Sequence, residues 1–149
     1  MKYIIIVLIA YLLGSFCASI PLSKRVYGAD VRKKGSGNAG ATNMARVYGM
    51  KAGLATFALD AVKAVAAMLI GSYLGGTVGE ALAGAACIFG HCFPVYFSFS
   101  GGKGVSVGAA LGLMTGLWEF AIIMAVFFAV SLSTRKVSLG SMCAAVSLP

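Results

Sequence analysis

Residues 105–133 read VSVGAALGLMTGLWEFAIIMAVFFAVSLS, and their reading decides the fold. Glu119 is the one charged residue in the stretch. A spanning helix takes about 20 apolar residues at about 1.5 Å each, so this run is too long for one ordinary helix. As a single span it would put Arg135 and Lys136 across the membrane from Lys103. As two short helices turning near Trp118-Glu119, it returns them to the same side and leaves Glu119 beside Glu80 on the other. Outward from this hairpin, Tyr3 to Leu22, Ala52 to Leu74 and Ala81 to Phe97 read as further spans, with a Gly75-Gly76 turn between the last two. Val137 to Pro149 begins a sixth helix but is too short to cross.

The composition agrees. The chain has 149 residues, 60% of them hydrophobic and 11% charged, with mean hydropathy +0.93. Soluble domains carry about a quarter charged residues. The net charge of +8 is gathered between apolar runs, which is the positive-inside pattern rather than a nucleic-acid surface. On the hairpin reading every basic residue except Lys2 and Lys63 faces the cytoplasm. The expectation is an all-α integral membrane protein, a polytopic bundle of about five to six short transmembrane helices. Residues 1–149 form a single transmembrane domain, and cytoplasmic loops 23–51 and 98–104 carry the site. Cys17, Cys87, Cys92 and Cys143 match neither a zinc spacing nor a disulfide framework and read as small hydrophobes. Glycines at 104, 108, 112 and 116, and at 71 and 75, are spaced for close helix packing in lipid.

Two segments are unlike membrane filler. The first is Gly35-Ser36-Gly37-Asn38-Ala39-Gly40-Ala41-Thr42-Asn43, followed by Arg46. Gly35, Gly37 and Gly40 allow successive backbone N–H groups to converge on an anion. Ser36, Asn38, Thr42 and Asn43 add neutral donors. With Thr42 or Asn43 capping a helix, Arg46 lies one turn in and points at the same place. No Gly-Lys-Ser/Thr follows, so this is not a Walker A loop.

The second is Gly90-His91-Cys92-Phe93-Pro94, then Phe99-Ser100-Gly101-Gly102-Lys103-Gly104-Val105. Pro94 should end or kink its helix. Gly101, Gly102 and Gly104 again free the backbone around an anion, with Lys103 as a point charge. His91, the only histidine, stands at the end of an apolar helix beside this loop. Two anion sites on one face suggest two phosphorylated substrates or one substrate with two phosphates, and the helices suggest a lipidic partner. A third feature, Asp60 with Lys63 one turn on, reads first as a structural ion pair inside the membrane.

With these motifs the chain resembles the bacterial membrane glycerol-3-phosphate acyltransferases that use acyl phosphate as donor, the PlsY family. GSGNAGATNMAR (Gly35 to Arg46), LDAVKA (Leu59 to Ala64), GHCFPVYFSFSGGKGVSVG (Gly90 to Gly108) and VSLGSM (Val137 to Met142) carry the likeness, which runs along essentially the whole chain. It implies seven helices in a full-length member. It also implies acyl transfer from a fatty acyl phosphate to the 1-hydroxyl of sn-glycerol 3-phosphate, giving lysophosphatidic acid for phospholipid synthesis. The implied partners are those two substrates and the bilayer, with no nucleic acid, protein partner, cofactor or metal. The implied place is the bacterial plasma membrane, multi-pass, with the site facing the cytoplasm. The family's first motif falls on Ser36, Asn38, Thr42, Asn43 and Arg46, and its second on His91, Gly101, Gly102, Lys103 and Gly104.

Acyl phosphate is a mixed anhydride with a good leaving group, so the main demand is to align two mutually repelling anions. Ser36, Asn38, Asn43, Arg46, His91 and Lys103 are the candidate catalytic residues. Gly35, Gly37, Gly40, Thr42, Gly101, Gly102 and Gly104 are the candidate phosphate-binding residues. His91 is a candidate base, and the acyl phosphate's own oxygens are another. Acyltransferases of the other class pair a histidine with an aspartate five positions on; Tyr96 stands there here. A third family motif, with asparagine, arginine and glutamate, falls beyond Pro149, which leads to an expectation of membrane insertion with little or no acyl transfer. Two other readings stay open: a transporter of a phosphorylated solute, disfavoured by the lack of internal repeats, and an inactive truncated remnant.

Overall fold

The computed structural model describes residues 1–147 of the chain. It is all-α among these residues. Helix α1 (Lys2–Ser15) is followed by α2 (Ser19–Tyr27), a 3₁₀ turn (Val31–Lys33), α3 (Ala41–Tyr48) and the long α4 (Met50–Cys92). A second 3₁₀ turn (Val95–Phe97) leads to α5 (Val105–Thr115), α6 (Leu117–Thr134) and α7 (Val137–Val146).

Helix α4 is two antiparallel limbs. At Gly76 the backbone takes φ 63° and ψ −154°, a conformation open essentially to glycine alone. The limbs then run back along each other, so close that a Cβ at Gly71 or Gly79 would strike the other's backbone. The Gly75-Gly76 turn expected from sequence is this reversal. The second limb ends at Cys92, as Pro94 requires: its ring excludes a helical continuation. A second hairpin turns at Gly116, between α5 and α6, close to the expected Trp118-Glu119.

Helix α1 packs parallel to the second limb of α4, with Gly14 against the backbone of Cys87 and Gly90 against that of Tyr11. The central cluster joins Ile6, Ala10, Ala64, Ala67, Ala83, Cys87, Val107 and Ala110. Small side chains fill the inside, while Ile4, Leu8, Phe89 and Trp118 point outward. This reverses the soluble pattern and is the packing that lipid selects, where backbone approach rather than water exclusion holds helices together. Three of the described helical stretches, 2–27, 50–97 and 117–134, are long and apolar enough to cross a membrane.

Two sequence expectations are corrected. The span Tyr3 to Leu22 is broken: α1 stops at Ser15, Phe16 is extended, and α2 restarts at Ser19. The Lys63 ammonium takes the carbonyls of Gly14 and Phe16 at 3.0 and 2.8 Å. It thus supplies partners that a helix end in lipid would otherwise lack. Residues 23–51 are also not a plain loop, since they hold the rest of α2, a 3₁₀ turn and all of α3.

Candidate active site

Asn43 is the knot of the first glycine segment. Its Oδ1 accepts from Ser36 N at 2.8 Å. Its Nδ2 donates to the carbonyls of Val31, Lys34 and Asn38 at 3.2, 3.1 and 2.9 Å. The side chain is buried and wholly engaged in folding the loop around itself, with Gly35 and Gly37 in the left-handed region as the loop doubles back. Asn38 Oδ1 receives Gly40 N at 2.9 Å. Ser19 Oγ donates to Ala39 O. The helix cap is Gly40, with no side-chain cap bond, not Thr42 or Asn43 as the sequence suggested: Asn43's amide is already committed to the loop.

The second segment is tied to the first. Ala39 N donates to Gly101 O at 3.2 Å. Arg32 holds Asp30 with Nε and Nη2 at 3.1 and 2.8 Å, and reaches across with Nη1 to Phe97 O at 2.8 Å and Ser100 O at 3.2 Å. Between those two carbonyls lie Ser98 and Phe99, both at positive φ (55° and 57°). A strained pair of this kind persists when its surroundings fix it, and the Arg32 fork grips both sides of it.

Gly102 serves a purpose different from the expected one. Its N–H donates to His91 O at 3.0 Å, and a Cβ there would overlap the His91 ring at Nε2. The amides of Ser36, Gly37, Gly40 and Gly102 are all bonded within the loops. Those four amides are therefore taken up in shaping the loops.

Ser36, Asn38, Gly40, Thr42, Asn43, Arg46, His91, Lys103 and Gly104 line one cavity of about 1010 Å³. Gly35, Gly37, Gly101 and Gly102 do not line it; they lie in its wall. Arg135 and Lys136 do line it, as do Leu54, Phe57, Ile123, Met124, Phe127 and Phe128. Sequence reasoning put Arg135 and Lys136 on the same side as the two glycine loops but gave no sign that they reach the cavity, because α6 and its turn are placed by packing. It also missed Lys63, whose Nζ lies 3.0 Å from His91 Nδ1 and 2.9 Å from Asp60 Oδ1. The pair expected to be structural thus adjoins a site residue.

The Arg32 hydrogen bonds and charge hold the Asp30 carboxyl down at about 2, against 3.8 for the free group. Asp30 in turn raises the Arg32 guanidinium. A depressed carboxyl contributes stability above its unfolded value and loses it as pH falls through the folded one. The link between the two loops should therefore hold unchanged from neutrality to about pH 4 and open toward about pH 2, a loss of about 2 kcal/mol. Hydrogen exchange of the Ala39 and Gly102 amides across that range measures it; protection that stays constant down to pH 2 would contradict it.

A cavity of a membrane protein lined by both cations and apolar side chains suits an amphiphile with an anionic head. The comparisons with known proteins narrow this class. A profile of the glycerol-3-phosphate acyltransferase family matches residues 4–149. The glycerol-3-phosphate acyltransferase of Finegoldia magna is 40% identical over 144 residues, covering 97% of this chain and 73% of its own length. That of Syntrophotalea carbinolica is 43% identical over 153 residues, covering 99% and 76%. The crystal structure of PlsY, an integral membrane glycerol 3-phosphate acyltransferase, in its glycerol 3-phosphate form superposes with a TM-score of 0.88 at 35% identity, covering 99% of this chain and 74% of that one. Its lysophosphatidic acid form gives 0.85 at 33% identity with the same coverage. The chain belongs to the glycerol-3-phosphate acyltransferase family.

Proposed function

We propose that this protein transfers a fatty acyl group from acyl phosphate to the 1-hydroxyl of sn-glycerol 3-phosphate and releases lysophosphatidic acid. The observation that carries the reading is the single cavity in which Arg46, Lys103, Arg135 and Lys136 share a wall with Leu54, Phe57, Phe127 and Phe128. Two phosphates need two sets of cations, because their repulsion opposes the approach of hydroxyl to carbonyl. The apolar wall takes the acyl chain. The solved PlsY relatives, one in a glycerol 3-phosphate form and one in a lysophosphatidic acid form, support the acceptor and the product.

In the step itself the hydroxyl oxygen bonds to the acyl carbon and the bond from that carbon to the phosphate oxygen breaks. The hydroxyl proton leaves on the departing phosphate, whose oxygens are basic and adjacent. Arg46 grips a phosphate through its fork and Lys103 neutralises the other. Charge placement between the apolar runs supports a site on the cytoplasmic face of a bacterial plasma membrane.

The donor is tested in membranes carrying the protein, with radiolabelled glycerol 3-phosphate and either palmitoyl phosphate or palmitoyl-coenzyme A. Labelled lysophosphatidic acid with the first donor alone, matched mole for mole by released phosphate, is the expected result. Product from the thioester and none from the acyl phosphate would overturn the donor assignment.

A further inference from the structure

The Lys63 ammonium is surrounded by acceptors. Gly14 O lies at 3.0 Å, Phe16 O at 2.8 Å, Asp60 Oδ1 at 2.9 Å and His91 Nδ1 at 3.0 Å. The side chains of Asp60 and His91 are buried, and Lys63 nearly so. Two of the acceptors are backbone carbonyls freed where α1 ends, so the ammonium is anchored without any help from the imidazole. Asp60 balances its charge, as a buried cation in the bilayer requires.

An ammonium has hydrogens to give and no lone pair. The ring nitrogen that faces it must therefore supply the lone pair, which leaves the ring hydrogen on Nε2. Asp60 does not compete for the ring: its Oδ1 is 3.6 Å from Nδ1, too long for a hydrogen bond. Gly102 lies beside the ring on its other side, where it has no Cβ to collide with Nε2, and its N–H holds the His91 carbonyl. The imidazole is thus clamped between Lys63 and the Gly101-Gly102-Lys103 loop, at the wall of the cavity.

We infer that Lys63 is a positioning residue: it fixes His91 as the Nε2–H tautomer, so that the imidazole offers the cavity a hydrogen-bond donor. A base would need Nε2 bare and the hydrogen on Nδ1, pointing at a cation 3.0 Å away. What the donor serves, a substrate oxygen that gains charge during acyl transfer, rests on the reading proposed above. The tautomer does not.

His91 is the only histidine, so protein labelled with ¹⁵N-histidine and reconstituted in lipid gives one imidazole signal set. At neutral pH the proton-coupled nitrogen should be Nε2 and the bare one Nδ1. In Lys63→Met, which keeps the length of the stem and removes the charge, the signals should move toward a mixture of both tautomers. With palmitoyl phosphate and glycerol 3-phosphate, the same variant should lose about 10–100-fold in kcat while KM changes by less than about twofold, the pattern for a partner that orients a functional imidazole. A hydrogen on Nδ1 in the unmodified protein would overturn the inference, as would an unchanged ring spectrum in Lys63→Met. A shifted tautomer with unchanged kcat would overturn the positioning role. Should Lys63→Met not fold, the spectrum of the unmodified protein decides alone. Should no product form at all, the acyl-transfer reading fails and the tautomer is still measured.

Discussion

Alanine at Arg46 or at Lys103 is expected to leave the helices folded and to lower kcat/KM by about 2–4 kcal/mol of transition-state stabilisation, the range for loss of one preorganised donor. Both side chains are exposed into the cavity and stand on different elements, Arg46 within α3 and Lys103 just before α5. The bonds described above between the two loops run through Ala39, Gly101 and Arg32, so the loss should fall on turnover and binding rather than on stability. Arg46→Lys should also impair, because the ammonium cannot reproduce a planar fork against a phosphate. Lys33→Ala, in the nearby 3₁₀ turn and away from the cavity lining, should behave as the unmodified protein and controls for surface charge. Circular dichroism in detergent reports the fold, and formation of labelled lysophosphatidic acid reports the rest. Near-normal turnover in both alanine variants would remove these residues from the site.

The second large effect is expected at Asn43. Its amide makes four hydrogen bonds to loop backbone, one accepted and three donated. Two amide hydrogens are shared among the three accepting carbonyls, so with the accepted bond they amount to about three bonds, and at about 1 kcal/mol net for each Asn43→Ala should cost about 3 kcal/mol. The loss should be largely local, since the close backbone approaches that join α1 to the second limb of α4, and the two limbs to each other, lie away from this loop. Asn43→Asp is the sharper variant: it keeps the acceptor for Ser36 N but turns an oxygen toward the carbonyls of Val31, Lys34 and Asn38. It should therefore be no better than alanine despite its matching shape. Limited proteolysis between residues 34 and 42 reads loop opening, and thermal unfolding of the bundle should move far less. An aspartate variant with a protected loop and normal turnover would show that the amide is not the knot.

The apolar runs, the glycine pair at 75–76 and the single charge in 105–133 made the hairpins legible, because lipid leaves the backbone few alternatives. The same logic failed at Phe16. Pro21, in the first turn of α2, is the one sign of a break within Tyr3 to Leu22, since its ring and missing N–H bar a continuous helix there; Lys63, nearly fifty residues away, then takes the freed carbonyls. The site motifs were legible as a set, since glycine, asparagine and arginine at close spacing have little use in a membrane helix. Their roles were less so. Asn43 looked like a donor for substrate and is a donor for its own loop, and Gly102 looked like part of an anion nest and is room for a ring. Arg32 was one basic residue among several, and only the folded chain sets its fork against Phe97 and Ser100. Hydrogen-bond partners of that kind are a property of tertiary placement, which spacing along the chain does not encode.

Helix α5 has 11 residues and α6 has 18, and they share the turn at Gly116. At 1.5 Å per residue they rise about 16 Å and about 27 Å, against a hydrocarbon core of about 30 Å. Leaving Gly116 together, they differ in rise by roughly 10 Å. A protein with such a step in its rim meets the bilayer with hydrophobic mismatch, and the lipid nearest α5 must sag to keep polar groups wet. Where lipid thins in this way its head groups come closer to the level of the shorter helix, so bilayer thickness is expected to matter to this protein as well as lipid charge.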